Sequence, residues 1–231
     1  MNNYRMNAIL VGALFSLTMI AGFVETKIAA PLLQGPLSAV FQQDALLKTG
    51  ALLILFMATG IVGIAILLFP VIRTRNETVA VTYLAFRIIE CVLLIVGSVV
   101  SLVLAPLCAK FVTSSTPNPA WLQAIVAMAV NVRYSAFQIA MVLLGVGSLL
   151  VFATFYRSEL IPRWLSAWGL IGYALLLASA LLSILGLVDT VSGMGMILYI
   201  PGGVFELFAF PIWLIAKGFC TVAAGPEEYS T

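Results

Sequence analysis

The chain has 231 residues, of which 63% are hydrophobic and 9% are charged, and its formal net charge is +2. A soluble domain contains about 45 to 50% apolar residues, so this composition, with a mean hydropathy of +1.16, predicts an integral membrane protein. The apolar runs are long and uniform rather than short and alternating, which excludes a transmembrane barrel. The basic residues are few and scattered around the predicted membrane ends, which argues against a nucleic-acid-binding protein.

The sequence predicts an all-α, polytopic membrane protein with one six-helix transmembrane bundle in residues 1–219 and a short tail in residues 220–231. The predicted spans cover about residues 6–24, 50–72, 79–105, 121–156, 166–187 and 196–217. The positive-inside rule places both termini in the cytoplasm, because this topology puts six basic residues inside and three outside. The inner set is Arg5, Arg73, Arg75, Arg157, Arg163 and Lys217, and the outer set is Lys27, Lys48 and Lys110.

The first apolar run, Met6 to Val24, is longer than the apolar core of a signal peptide, which has about 7 to 15 residues. Glu25 and Lys27 follow it where small residues would mark a cleavage site, so we expect a retained helix. The segment Ala39 to Lys48 mixes apolar and polar residues and predicts a short helix at the membrane interface.

The second and fifth spans contain no charged residue. Thr59, Gly60 and Gly63 make the second span suitable for close helix contact. We therefore expect these two spans to lie at the periphery of the bundle, where their glycine-bearing faces would receive any protein partner.

The third span carries Tyr83, Arg87 and Glu90 within an apolar run. At 100° per residue these side chains share one face of a helix and form a polar stripe. A charge near the middle of a bilayer costs about 2.5 to 3.5 kcal/mol on an insertion scale, so it needs a partner or a wet cavity.

The fourth span places Asn131, Tyr134, Ser135 and Gln138 on one face, and Arg133 points away from them. A helix that is polar on more than one side is expected in the centre of a bundle.

The sixth span places Tyr199 and Glu206 on one face, and Pro201 and Pro211 are able to kink it. The topology puts Arg87, Glu90, Arg133 and Glu206 at a similar depth, where their charges sum to zero. We expect Arg87 to pair with Glu90 within its helix and Arg133 to pair with Glu206 across helices.

Two interpretations of these charges stay open. The first is a polar midplane pocket between spans three, four and six that binds, transports or senses a small amphipathic or lipid-like molecule. The second is a structural or regulatory membrane subunit, in which the Arg/Glu network only fixes helix packing. The residues expected in ligand binding or proton coupling are Arg87, Glu90, Arg133, Glu206, Tyr83, Tyr134, Gln138, Asn131 and Tyr199.

The residues that several kinds of metal, cofactor or catalytic site require are absent from the sequence. The chain has no histidine, and its three cysteines are far apart with no CxxC motif, so we expect no metal site and no cofactor. No nucleophile motif is present, so we assign no catalytic residue and favour a protein that is not an enzyme. The expected partners are membrane lipids, a small amphipathic ligand, and a second copy or another protein.

Four segments together resemble a known family. They are the helix from Gly12 to Gly22, the stretch Tyr83 to Glu90, the turn from Tyr156 to Pro162, and Gly203 to Leu207 with Pro211 to Leu214. Over nearly the whole chain up to about Gly218, the sequence is similar to the bacterial integral membrane family called domain of unknown function 4386. The resemblance implies a six-span protein of the bacterial cytoplasmic membrane and no assigned activity.

Overall fold

The computed structural model describes residues 3–29, 31–32, 43–112, 120–188 and 193–220, and all regular elements within these ranges are helical. Six of the described helices are long and apolar enough to cross a membrane. The predicted all-α, six-span fold is therefore confirmed. Most of the predicted interfacial helix and the tail lie outside the described residues, although Asp44 to Lys48 form the start of the second long helix.

The first four helices extend beyond the predicted spans at both ends, whereas the fifth and sixth spans each begin and end earlier than predicted. The described helices are α1 (Asn3–Ile28), α2 (Asp44–Arg73), α3 (Glu77–Val112), α4 (Ala120–Ser158), α5 (Arg163–Ile184), α6 (Gly193–Val204) and α7 (Phe210–Ala216). A π-helical turn, Phe205–Ala209, joins α6 to α7, and these three elements form the sixth span.

The six spans are arranged as a closed ring. Each helix packs against the next one along the chain, and the sixth span packs back against α1. Arg5, at the start of α1, secures this closure by donating hydrogen bonds to the backbone carbonyls of Ile215 (2.8 Å) and Ala216 (3.1 Å) at the end of α7. These carbonyls have no partner within the last helical turn, so the guanidinium caps α7 as it joins the two ends of the chain.

The regular α-helix of the sixth span is interrupted just before Pro211. Pro211 has no N–H and cannot continue the regular ladder, and the Phe210 N–H donates to the Phe205 carbonyl five residues back. The predicted irregularity near Pro211 is thus a widened turn that contains Glu206.

Aromatic side chains fill the centre of the ring beside this turn. The Phe152 ring lies 5.3 Å from the Tyr173 ring, 5.1 Å from the Phe205 ring and 5.3 Å from the Phe210 ring, measured between centroids. Gly169 makes room for this arrangement, because a Cβ there would lie 2.7 Å from Cδ1 of Phe152.

The expectation that spans two and five are peripheral is wrong. Their glycines face other parts of the same chain: Gly60 contacts Thr18 of α1, and a Cβ at Gly172 would lie 3.0 Å from the Cα atom of Gly202. Because small residues allow helix backbones to approach closely, these faces are already used to close the ring. They are therefore not free to receive a protein partner.

Candidate functional site

The expected ion pair within the third span is confirmed. Nη1 of Arg87 donates to both carboxylate oxygens of Glu90, at 3.2 Å and 3.0 Å. The guanidinium also lies over the Tyr83 ring, with its carbon 5.1 Å from the ring centroid. Both charged residues are buried, and Nε and Nη2 of Arg87 have no hydrogen-bond partner among the described residues.

Glu206 lies on the π-helical turn and is bound by a tyrosine. The hydroxyl of Tyr173, on α5, donates to Oε1 of Glu206 over 2.6 Å. Arg87 and Glu90 are close enough to act on Glu206 electrostatically, but neither Arg87 nor any other described basic residue forms an ion pair with it. The structure thus brings Tyr83, Arg87, Glu90 and Glu206 into one cluster and adds Tyr173 to it.

Arg133 pairs with a different carboxylate from the one expected. Its Nη2 contacts Oε1 of Glu25 on α1, so the predicted pair with Glu206 is wrong. Two features explain this result. The α1 helix continues past Val24 to Ile28, which keeps Glu25 inside the bundle, and Gly97 of α3 leaves a passage for the Arg133 side chain. A Cβ at Gly97 would lie 3.3 Å from Cγ of Arg133.

The polar face expected on the fourth span divides into two parts. Tyr134 and Gln138 face α5, where the Tyr134 hydroxyl lies 2.7 Å from Oγ of Ser183 and Gln138 donates to both hydroxyls. Asn131 and Ser135 are exposed on the outer surface of the bundle.

Asn131 and Ser135 line an open groove of about 630 Å³ along α4, which Leu93 of α3 borders. The other lining residues are apolar: Ala124, Ala127, Met128, Val132, Ala136 and Ile139. The groove has an apolar wall and two polar groups, which is the composition expected of a site for an amphipathic molecule.

Tyr199, the remaining predicted site residue, lies on α6 and is half-buried. Its hydroxyl has no hydrogen-bond partner within the described part of the chain. The structure therefore does not join Tyr199 by a hydrogen bond to the Glu206 cluster.

The chain matches the family model "Domain of unknown function (DUF4386)" over residues 10–218. The protein belongs to this family. The resemblance carried by the Tyr83 to Glu90 stretch and the Tyr156 to Pro162 turn is therefore confirmed, and the family supplies no activity. No curated protein and no solved structure matches the chain.

Among the described residues, no three histidine, cysteine, aspartate or glutamate side chains come together.

The sequence reasoning did not predict that Glu25 and Tyr173 would contribute to the interior, although each has a recognisable feature in the sequence. No glycine or proline lies between Gly22 and Pro31, so nothing in the sequence ends α1 before Glu25. Tyr173 is a tyrosine within the apolar fifth span, and a buried phenol needs a partner for its O–H. Both signals require a partner on another helix, which sequence spacing alone does not identify.

Proposed function

We propose that this DUF4386 protein is a multi-pass protein of the bacterial cytoplasmic membrane that binds a small amphipathic or lipid-like molecule in the groove along α4. The positive-inside rule supports cytoplasmic termini for it. Binding is the step that a transporter and a sensor share, so it is the property to test first. The groove is the single observation that carries this proposal.

The size and position of the groove support the proposal. It has a volume of about 630 Å³ and is open along one side, so a bound molecule would lie against α4 with its other side toward lipid. It opens on the outer surface of the bundle, so a ligand dissolved in the bilayer would reach it without crossing water. Met128, Val132 and Ile139 are exposed on that surface and suit an acyl chain or another apolar body.

The position of Asn131 supports a polar contact with the ligand. The membrane-spanning segment of α4 has 36 residues and begins at Gln123, about 12 Å from Asn131 at about 1.5 Å per residue. When this segment is centred on a hydrocarbon core about 30 Å thick, Asn131 lies near the boundary between acyl chains and head groups. Its exposed amide offers two donors and an acceptor there. A ligand head group with ester, carboxyl or hydroxyl oxygens would satisfy that amide, and the Ser135 hydroxyl one turn later would add a second contact.

Native mass spectrometry with two variants tests the proposal. The protein is titrated with phosphatidylglycerol in detergent, and the bound lipid is counted for wild type, Asn131→Leu and Ala127→Phe. Asn131→Leu removes the polar contact, and Ala127→Phe fills the groove from an exposed position. We expect at least a several-fold loss of bound lipid in both variants.

Two matched controls lie outside the groove. Thr154→Leu makes the same kind of change at a half-buried position of α4, and Ala85→Phe adds the same ring to an exposed position of α3. Both controls should bind lipid like wild type. Equal binding by wild type, the two groove variants and the two controls would refute a specific site.

A second candidate function is favoured by the ion pairs. Glu25 and Arg133 join α1 to α4, and Arg87 with Glu90 is paired within α3. Such pairs can fix helix packing without any ligand, as in a structural or regulatory subunit. In that case, loss of Arg133 would lower stability and leave lipid binding unchanged.

A further inference from the structure

The charges inside the ring do not balance. Five charged residues lie there among those the structure describes: Glu25, Arg87, Glu90, Arg133 and Glu206. An arginine stays protonated in proteins, so two positive charges face three carboxyl groups. Glu90 and Glu25 each have an arginine, and Glu206 is the carboxyl group without one.

The surroundings of Glu206 provide no further positive charge. Elements α1, α5, α6 and α7 pack against or adjoin its turn, and α3 faces it across the interior. Between Met6 and Val24, α1 has no charged residue, and α7 has none at all. Arg5 is bound to carbonyls at the end of α7. The titratable and charged groups that face Glu206 among the described residues are Tyr173 of α5 and Tyr83, Arg87 and Glu90 of α3. Tyr199 is the titratable group of α6, and its hydroxyl has no hydrogen-bond partner among the described residues.

An ionised carboxylate in such surroundings is costly, because burying one uncompensated charge costs several kcal/mol even after the protein relaxes. A proton on the carboxyl group removes that cost. The hydrogen bond from Tyr173 suits this state, since a neutral carboxyl group still accepts through its carbonyl oxygen.

We propose that Glu206 is a proton-binding site inside the bundle and that Tyr173, Arg87 and Glu90 form its surroundings. In the loaded state Oε1 accepts from Tyr173, and the proton is bound to Oε2. When the site releases its proton, the Oε2–H bond breaks, the electron pair stays on Glu206, and the proton leaves to a water molecule. The site does not depend on the groove along α4, and either proposal can fail alone.

Arg87 is suited to receive the carboxylate that this release creates. Its Nη1 is committed to Glu90, but Nε and Nη2 are buried donors without a partner among the described residues. A guanidinium fork can hold two carboxylates at once, with Nη1 on one and Nε with Nη2 on the other. Proton release would therefore draw Glu206 toward Arg87.

The π-helical turn supplies the freedom for this movement. Glu206 lies in the widened turn between Pro201 and Pro211, and π-helical turns inside α-helices occur frequently at functional sites. A proton at Glu206 is thereby linked to the shape of the sixth span. A carboxyl group that is buried but never releases its proton would not be linked to the shape of the sixth span in this way.

Infrared spectroscopy of the full chain in phosphatidylglycerol nanodiscs at pH 7 tests the proposal. A protonated carboxyl group has a C=O stretching band that a carboxylate lacks, and the band shifts in D₂O when its proton exchanges. We expect wild type to show such a band with a D₂O shift, and Glu206→Gln to lose it. Glu77→Gln, at an exposed residue that pairs with Arg73, should retain it.

Tyr173→Phe provides a second test if Glu206→Gln does not fold. It deletes the hydrogen bond to the C=O group, so the band should persist at a higher frequency. The proposal is overturned if wild type has no band, if the band persists in Glu206→Gln, or if Tyr173→Phe leaves its frequency unchanged. A carboxylate band that responds to replacement of sodium by choline would also overturn it, in favour of a bound metal cation.

Discussion

Glu25 and Glu206 are both buried carboxyl groups on the inner side of the ring, and they differ in their partner. Glu25 contacts the guanidinium of Arg133, whereas Glu206 accepts a hydrogen bond from the phenol of Tyr173. A guanidinium compensates a full negative charge, and a phenol does not. The comparison indicates that Glu25 holds two helices together as an ion paired with Arg133. Glu206 is the carboxyl group that we propose to hold a proton.

The two sites also differ in their backbone. Glu25 belongs to a regular helix near its C-terminal end, and Arg133 reaches it across Gly97 of a neighbouring helix. Glu206 belongs to a π-helical turn near Pro211. Regular helices suit a fixed interhelical contact, and a widened turn suits a group whose charge state changes.

The largest effect is expected from Arg133→Ala, which leaves Glu25 buried without a positive charge. Removing one partner of a buried ion pair costs roughly 3 to 5 kcal/mol, and we expect the lower value because the Arg133 side chain is 20% exposed. Denaturant unfolding in detergent measures the loss.

The double variant Glu25→Leu/Arg133→Leu should recover most of that stability, because it removes both charges and leaves apolar side chains. Arg163→Ala breaks a surface pair whose side chains are 67% and 57% exposed, and it should change little. A loss in Arg163→Ala as large as in Arg133→Ala would contradict a special role for the buried pair.

Tyr173→Phe should have an intermediate effect. It deletes one hydrogen bond between groups that the proposal treats as neutral, and such a bond contributes about 1 kcal/mol. Thermal unfolding in detergent measures the loss, and Tyr156→Phe, at an exposed tyrosine, is the control. If Glu206 were instead ionised, the charge-assisted bond would be stronger, with a loss of about 1.5 to 3 kcal/mol.

The smallest effect is expected for Gly97→Ala, compared with Gly203→Ala. The new methyl group at 97 would lie 3.3 Å from Cγ of Arg133, whereas nothing lies within 4 Å of one at 203. Alanine favours a helix over glycine by about 0.8 to 1 kcal/mol, so Gly203→Ala should stabilise the protein slightly. Gly97→Ala should lose most of that gain by displacing Arg133, and equal stabilisation of both variants would show that the passage over Gly97 is unimportant.

Sequence reasoning predicted the class and the spans because uniform apolar runs depend only on local composition. It also predicted the Arg87–Glu90 pair, because the spacing of three residues on one helix fixes their distance. Contacts between helices cannot be predicted in the same way. The choice of Glu25 over Glu206 for Arg133 depends on helix rotation and on the passage at Gly97, and neither can be derived from spacing within one helix.

The face of α4 shows the same limit. Spacing placed Asn131, Tyr134, Ser135 and Gln138 together, but the helix is wide enough for Tyr134 and Gln138 to face α5 while Asn131 and Ser135 face outward. Which edge of a polar face points inward is decided by the neighbouring helices. The groove therefore emerged only from the structure.

The most direct test of the contrast between the two carboxyl groups is a comparison of Glu25→Gln with Glu206→Gln by denaturant unfolding at pH 7. Glutamine resembles a protonated glutamic acid in size and charge, and its carbonyl accepts the same hydrogen bond. The account predicts a loss of about 2 to 3 kcal/mol for Glu25→Gln, which leaves Arg133 unpaired, and less than about 1 kcal/mol for Glu206→Gln. Equal losses, or a larger loss for Glu206→Gln, would show that Glu206 is an ion in the folded protein and would contradict the account.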